Sequence, residues 1–277
     1  MSSDALRLPL PIELPAPATM THRARFAYDL AADSYDDAAN GFWSRSGERT
    51  VDRLGLQPGW TVLDLACGSG ASTIPAARRV SPTGRVVGID LSERMIDNGR
   101  RKAARLGLDT IEFRQGDMTE VRFPDASFDA VICVFGVSLA PDMKSFVADL
   151  WRMVRPGGRL AITTWGPRLW SPMYEVWRET IRVERPELVV DFHPWERLTT
   201  PSAVARLLGD AGIDREHVRI LPEFDVWPLR SGHDWCSMVM GSGLRWTIEQ
   251  LSSEAKQRVR DANLAYVKRH DVRAITC

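Results

Sequence analysis

The run of residues Val62–Gly70 combines an acid with closely spaced glycines, and this combination can bind a ligand against the backbone. It reads Val-Leu-Asp-Leu-Ala-Cys-Gly-Ser-Gly, an apolar strand pattern that passes into a tight turn. Because glycine has no Cβ atom, the backbone at Gly68 and Gly70 can turn sharply and let a ligand lie almost against the main chain. Asp64 stands just before the turn, where its carboxylate can receive a positively charged or hydrogen-donating part of that ligand.

Two further acids follow apolar strands at spacings typical of nucleotide binding. The segment Val86–Asp90 reads Val-Val-Gly-Ile-Asp, and its acid lies twenty residues after Gly70. A carboxylate at that place can accept hydrogen bonds from both hydroxyls of a ribose. Asp117 and Met118 end a third motif, Phe-Arg-Gln-Gly-Asp-Met, which begins in a third predicted strand. Taken singly, a glycine turn is an ordinary strand-to-helix connection, and an acid after a strand is a helix cap or a solvated charge. A nucleotide-binding site is therefore indicated by the order of the motifs and not by any one of them.

With these motifs in order, the chain resembles the class I S-adenosylmethionine-dependent methyltransferases. More narrowly, it is similar to the small-molecule branch (methyltransferase type 11) that includes the ubiquinone/menaquinone C-methyltransferases. The resemblance covers about Tyr28 to Gly212 and includes the turn Arg155–Gly158. It implies S-adenosyl-L-methionine as cofactor and S-adenosyl-L-homocysteine as product. The residues that it implies are Asp64, Gly68 and Gly70 for the methionine end, Asp90 for the ribose, Asp117 and Met118 for the adenine, and Val134 near the sulfur, with Ala66, Leu91, Met95 and Gly116 as further contacts.

The implied reaction transfers a methyl group to a small apolar or aromatic metabolite, at a carbon, oxygen or nitrogen atom that the sequence leaves open. The methyl group is already activated on a positive sulfur, so the protein must chiefly align the reactants, which contributes about 7–11 kcal/mol in favourable cases. A general base is needed only where the acceptor must lose a proton. His193, Tyr28 and Tyr35 are candidates for this role, and each has structural packing as its alternative role.

Two other functions compete with this interpretation. A nicotinamide-dependent oxidoreductase also needs a glycine turn and an acid about twenty residues later. Thr73 stands where the third glycine of that motif would be, and a nicotinamide cofactor has no need of Asp64 or Asp117, so the methyltransferase is favoured. The second alternative is a non-catalytic protein that binds S-adenosylmethionine as a scaffold or cyclisation protein, and only the missing base supports it.

Short apolar runs alternate with amphipathic helical runs from Trp60 to Trp165, which predicts a parallel sheet with helices on both faces. The resemblance implies an α/β, Rossmann-like class I methyltransferase fold with a mostly parallel, twisted sheet of seven strands. The predicted strands are Thr61–Leu65, Arg85–Ile89, Thr110–Gln115, Phe128–Val134, Arg159–Thr164, Val218–Leu221 and Val272–Ile275.

We expect four parts along the chain. A flexible proline-rich arm occupies residues 1–20, and an N-terminal helical lid occupies residues 21–58. The cofactor-binding Rossmann-like core extends over residues 59–165. Residues 166–277 add a helical insert that forms the acceptor pocket, and they complete the sheet.

Charge and cysteine content restrict the partners. Among 277 residues, 36 basic and 36 acidic side chains give a formal net charge of +0, so no global field attracts nucleic acid or an anionic membrane. The four cysteines are dispersed without metal-binding spacing, which indicates reduced thiols and a cytoplasmic location. No apolar run is long enough to span a membrane. We expect a small-molecule acceptor, no metal, no nucleic acid and a monomer or homodimer.

Seven of the ten tryptophans lie from Trp165 onward, in the part assigned to the acceptor pocket. This distribution predicts either an aromatic cavity for a flat or isoprenoid acceptor or a tryptophan-rich core beneath the insert. For Trp177, at helical spacing, packing is favoured, whereas for Trp170 and Trp195 the two roles stay open.

Overall fold

A computed structural model describes residues 20–190 and 192–276, and its centre is a parallel sheet of five strands. The predicted arm lies almost entirely outside the described residues. The strand order is β3-β2-β1-β4-β5, and every neighbouring pair is parallel. Apolar runs form these strands because a parallel sheet is buried on both faces. The strands are β1 (Thr61–Leu65), β2 (Arg85–Asp90), β3 (Ile111–Gln115), β4 (Phe128–Val134) and β5 (Val154–Thr163).

Helices cover both faces of the sheet, and alternate residues of each strand point to opposite layers. Val62 and Ile132 pack with helices α2 (Phe42–Leu54) and α3 (Thr73–Val80) on one face. Leu63 and Val131 pack with α5 (Met143–Met153) on the other. Helix α4 (Glu93–Arg105) connects β2 to β3, and the side chain of Ser92 caps its first turn.

The chain after β5 packs with the N-terminal segment into a second core that is rich in aromatic residues. Helix α1 (Met20–Ala31) belongs to this part of the molecule, together with a short 3-10 helix at Ala38–Asn40. None of the helices in the described ranges is long and apolar enough to cross a membrane. The C-terminal elements are α6 (Met173–Glu184), α7 (Pro201–Asp210), β6 (Val226–Pro228), α8 (Gly232–Met240), α9 (Arg245–Glu249), α10 (Ser253–His270) and β7 (Ala274–Thr276).

The structure corrects the predicted strands after β5. Within residues 20–190 and 192–276, the seven strands form the parallel sheet of five and a separate antiparallel pair, β6 with β7, so the prediction of one seven-stranded sheet is wrong for this part of the chain. Val218–Leu221 is irregular and partly exposed, because an apolar run becomes a strand only where a partner strand is within reach. The predicted Val272–Ile275 corresponds to β7, which pairs outside the main sheet. Strand β5 begins at Val154, five residues earlier than predicted, with a bulge in its pairing to β4.

One buried asparagine connects three helices of the C-terminal part. Asn263 on α10 is 2% exposed, and its Oδ1 accepts a 2.9 Å hydrogen bond from Trp235 Nε1 on α8. Its Nδ2 donates to Thr180 Oγ1 on α6 at 3.0 Å and to Val259 O at 2.8 Å. Both ends of the amide are therefore satisfied, as a buried polar group requires.

We predict that Asn263→Ala lowers the free energy of unfolding by about 1–3 kcal/mol, because it leaves the indole N–H of Trp235 buried without an acceptor. Urea unfolding followed by circular dichroism measures the change. Gln257→Ala is the matched control, since Gln257 lies on the same helix but bonds only in an exposed pair with Asp261. This control should change the free energy by less than about 0.5 kcal/mol. An equal loss of unfolding free energy in both variants would contradict the stabilising role assigned to Asn263.

Candidate functional site

A cavity partly open to solvent lies where β1, β2 and β4 end. Crevices at the carboxyl ends of parallel strands are the usual ligand sites of open α/β sheets. Residues of the glycine turn, of the loops after β2, β3 and β4, and of the N-terminal segment line it. Of the predicted site residues, the lining includes Tyr28, Tyr35, Ala66, Gly68, Asp90, Leu91, Met95, Asp117, Met118 and Val134.

The turn after β1 adopts the sharp conformation that its glycines predict. Gly68 has φ +53° and Gly70 has φ +93°, both in the left-handed region. A Cβ atom at Gly68 would lie 3.1 Å from the hydroxyl oxygen of Tyr35, so the close approach requires glycine there. Gly70 does not line the cavity, and its backbone instead packs against Phe113. Ala66 adopts φ +56° without being glycine, a conformation that costs of order 1–3 kcal/mol and concentrates at functional sites.

Asp64 lies beneath this turn and outside the cavity wall. Its side chain is 0% exposed, and Oδ2 accepts hydrogen bonds from the hydroxyls of Ser72 at 2.7 Å and Thr73 at 2.6 Å. Oδ1 is buried without a partner in the described part of the chain. Burial raises the pKa of this carboxyl to about 7, although the two hydroxyls oppose that rise. Asp64 thus fixes the start of α3 against the turn, which differs from the direct ligand contact that its sequence position suggested.

Asp90 connects the end of β2 to the glycine turn from inside the cavity wall. Its Oδ2 accepts the backbone N–H of Gly68 at 2.8 Å, and Oδ1 accepts that of Ser92 at 2.9 Å. Burial raises the pKa of Asp90, while these backbone donors oppose the shift. Each carboxylate oxygen keeps further acceptor capacity, so the group can also bind two hydroxyls of a ligand.

Asp117 also lines the cavity and lies at the start of the loop after β3. Its Oδ1 accepts hydrogen bonds from the backbone N–H and the hydroxyl of Thr119, at 2.8 Å and 2.7 Å. This local turn fixes the carboxylate and places the thioether of Met118 in the same wall. Gly116, the preceding residue, is not part of the wall.

Two tyrosines from the N-terminal segment, Tyr28 and Tyr35, line the cavity. Burial raises the pKa of Tyr28 to about 12, and the charge of Asp90 adds to the rise. Burial also holds the pKa of Tyr35 well above its usual value. Their rings meet edge to face with centroids 6.4 Å apart. Both predicted tyrosines therefore lie in the cavity wall as neutral groups.

Two aspartates join the N-terminal segment to the glycine turn and to the loop after β2. Each of them accepts a hydrogen bond from the hydroxyl of a fully buried serine. Asp29 accepts the hydroxyl of Ser92 at 2.5 Å, and Ser92 is adjacent to the loop residue Leu91. Seven residues later, Asp36 accepts the hydroxyl of Ser69 at 2.8 Å, between the two glycines of the turn. Lys102 on α4 donates to both members of the second pair at 2.8 Å. We call these two contacts, Asp29–Ser92 and Asp36–Ser69, the lid clasp.

An aromatic wall that the sequence did not predict forms the side of the cavity below the tyrosines. Trp43 on α2 stacks on Tyr35 with centroids 5.2 Å apart and an angle of 8°. Phe135, directly after β4, stacks on Trp165 at 3.7 Å and 10°. Phe135 has φ +59°, an unusual conformation for a residue other than glycine, and it sets the direction of the chain where β4 ends. Trp43 and Phe135 line the cavity. In the sequence, only their position next to recognised motifs could have indicated this role.

His193 lies outside the cavity wall, in an aromatic cluster of the C-terminal part. Its ring is 6.1 Å from that of Trp195 and 6.3 Å from that of Tyr174. Burial lowers the pKa of the imidazole. The structure therefore does not bring this candidate base together with the tyrosines. Trp170 and Trp177 are both buried, in the same second core.

One cluster of metal-ligating side chains occurs in the part of the chain that the structure describes. Asp214, Glu216 and His217 approach one another on an exposed turn far along the chain from the cavity motifs. Exposed groups of this kind are common without an ion. The cluster contributes no residue to the cavity wall.

Comparison with known proteins identifies the domain that carries this cavity. Residues 62–158 match the family model described as Methyltransferase domain. The chain is 39% identical to nocamycin O-methyltransferase of Saccharothrix syringae over 136 residues, which are 49% of each protein. It is 32% identical to the ubiquinone/menaquinone biosynthesis C-methyltransferase UbiE of Enterobacter sp. (strain 638) over 157 residues, 56% of this chain and 61% of that protein. The aligned part of the chain thus spans about half of the first relative and three fifths of the second.

A solved structure shows how far the fold extends beyond the matched domain. The crystal structure of the [4+2]-cyclase SpnF aligns with a TM-score of 0.57 and 16% sequence identity, over 95% of this chain and 97% of that one. At this identity the likeness concerns the fold alone. The sequence matches favour the predicted methyltransferase over a nicotinamide-dependent oxidoreductase. The likeness of this chain to methyltransferases thus rests on the domain model over residues 62–158 and on relatives that it matches over about half of its length.

Proposed function

We propose that the protein transfers a methyl group from S-adenosylmethionine to a small apolar or aromatic metabolite. The observation that carries the proposal is the cavity lined by both Asp90, which accepts the backbone N–H of Gly68 in the glycine turn, and Asp117, within the matched methyltransferase domain. Relatives named for a quinone and for a natural product support a small-molecule acceptor. Incubation with isotope-labelled S-adenosylmethionine and a metabolite extract, followed by mass spectrometry, tests it. Labelled product supports the proposal, and failure to bind the cofactor contradicts it.

The residues in the wall fit a cationic nucleoside. Asp90 and Asp117 are acids whose contacts in the described residues are backbone N–H groups and a hydroxyl, so no basic side chain neutralises them there. When bound, S-adenosylmethionine supplies a methyl group on a positively charged sulfur. We assign Asp90 to the ribose hydroxyls and Asp117 with Met118 to the adenine. We assign the methionine portion to the turn at Ala66 and Gly68, with Leu91, Met95 and Val134 as apolar contacts.

The division of the chain follows from these assignments. We propose that residues 21–58 act as a lid, because Tyr28, Tyr35 and Trp43 cover the cavity from this segment. The segment is also tied to the C-terminal part: Asn40 donates to Ser237 O at 3.1 Å. Residues 166–277 therefore support the lid from outside. Such a lid aligns the reactants and excludes water, which is the main requirement for a displacement at an activated methyl group.

We predict that Asp90→Asn weakens binding of S-adenosylhomocysteine by about 10–100-fold, measured by isothermal titration calorimetry. The amide has one acceptor oxygen instead of two and places an N–H against a backbone donor, and a hydrogen bond to a charged group contributes about 1.5–3 kcal/mol. Asp97→Asn on α4 is the control, because Asp97 is exposed and pairs only with Arg100. The unfolding temperature of each ligand-free variant separates lost binding from lost folding. Affinity within about twofold of the wild type in folded Asp90→Asn would refute the ribose assignment.

We predict that Ser69→Ala accelerates dissociation of S-adenosylhomocysteine by about tenfold, because it removes the hydroxyl that ties Asp36 to the glycine turn. Stopped-flow tryptophan fluorescence measures the rate, since Trp43 lies in the cavity wall. Asp36→Ala should behave likewise. Asp37→Ala is the control, because Asp37 is exposed and its side chain makes no cap hydrogen bond. A dissociation rate from Ser69→Ala equal to that of the wild type would show that the lid clasp does not control the release of S-adenosylhomocysteine.

A further inference from the structure

The ionisable side chains around the cavity are few, and their chemistry restricts the acceptor. Among the described residues that line it, the groups that can gain or lose a proton are Arg25, Tyr28, Tyr35, Cys67, Asp90 and Asp117. No histidine or lysine belongs to this set. The candidate base His193 lies elsewhere, and Asp64 is covered by the turn.

None of the lining acids or phenols is placed to remove a proton from an acceptor near neutral pH. Burial raises the pKa of Tyr28 to about 12 and that of Cys67 well above its usual value, so both are neutral. Tyr35 is neutral for the same reason, and its ring lies flat against Trp43. Asp90 already accepts backbone N–H groups with both oxygens, and the proposed function assigns it and Asp117 to the cofactor.

Arg25 is the one basic residue among the described lining residues, and it stands at the rim on α1. Its side chain is 51% exposed. Its Nε lies 3.8 Å from Asp29 Oδ2, well beyond the 2.7–2.9 Å of a strong charge-assisted hydrogen bond. Asp29 is itself engaged by Ser92 in the lid clasp. The guanidinium therefore has donors to offer to an anion that enters beside the lid.

We propose that the acceptor enters the cavity already ionised, as the anion of an acidic enol or phenol on a flat ring, and that Arg25 binds this anion. The proposal rests on the proposed function and specifies its acceptor. The aromatic faces of Trp43 and Phe135 suit a flat ring, and the guanidinium at the rim suits its negative charge.

The chemical step is balanced without a base from the protein. A lone pair of the acceptor anion forms the new bond to the methyl carbon. The bond between that carbon and the sulfur breaks, and its electron pair remains on the sulfur, which becomes a neutral thioether. The acceptor has already released its proton to solvent, so no proton moves during the transfer. Base catalysis commonly contributes 10²–10⁴-fold, and an ionised acceptor makes that contribution unnecessary.

Binding to the protein saturated with S-adenosylhomocysteine tests the proposal with two flat probes of similar size. 4-Hydroxycoumarin is an enol that is ionised at pH 8, and 4-methylcoumarin has no acidic group. We expect calorimetry to show at least about tenfold tighter binding of the hydroxy compound, and we expect Arg25→Gln to remove that preference while leaving the methyl compound unchanged. Arg23→Gln is the matched control, because Arg23 is exposed on the same helix and does not line the cavity.

The outcomes separate this proposal from the proposed function. S-adenosylhomocysteine is titrated first into each variant, so failure of the cofactor to bind refutes the methyltransferase assignment itself. With the cofactor bound, equal affinity for the two probes, or binding of neither, overturns the anionic acceptor. A preference that persists in Arg25→Gln overturns the role of Arg25. An Arg25→Gln variant that loses affinity for S-adenosylhomocysteine and keeps the preference shows that the arginine serves the cofactor instead.

Discussion

The contact between Asp90 and the backbone N–H of Gly68 is the interaction on which the site depends. It joins the end of β2 to the turn that follows β1, the strand beside it in the sheet. The same carboxylate accepts the N–H of Ser92, and the hydroxyl of Ser92 caps α4. One carboxyl group therefore fixes the turn, the loop and the start of a helix. Its contacts there are backbone donors and not a basic side chain, so the group keeps acceptor capacity for a further donor or cation.

The N-terminal segment extends the same arrangement outward. Each bond of the lid clasp ends on a serine of a loop that Asp90 already holds in place, so this segment and the two loops share their supports. Ser92 is at once a helix cap, a donor to Asp29 and a backbone donor to Asp90. A displacement of the N-terminal segment must therefore change the hydrogen bonds of the loops that it contacts. The position of the segment and the geometry of the cavity are coupled through polar contacts over short distances, which is a physical basis for the proposed exclusion of water.

The sequence permitted prediction of the features that local pattern determines. Strands β1 and β4 have the predicted bounds, because strong apolar patterning and flanking glycines or prolines define them. Asp90 and Asp117, which the local sequence motifs indicated, also lie in the cavity wall. The aromatic wall and the lid clasp could not be predicted, since Trp43 meets Phe135, and Asp36 meets Ser69, only through tertiary packing. His193 lies outside the cavity wall, because a reactive residue type in a loop does not indicate which core it packs against.

Asp64 shows why an electrostatically costly residue can persist beneath such a site. Its pKa is about 7 in the folded protein against an ordinary 3.8, so between these values the folded state holds the proton more firmly than the unfolded chain does. By linkage, the stability that this group contributes decreases as the pH rises from about 4 to about 7. The carboxylate becomes charged just below the turn whose Gly68 N–H is bound by Asp90. A positive charge brought into the cavity offsets both acids, because Coulomb interactions are strong where water is excluded. The acids that destabilise the empty fold at neutral pH thus favour a cationic ligand, and a neutral substitute of the same shape would lack that contribution.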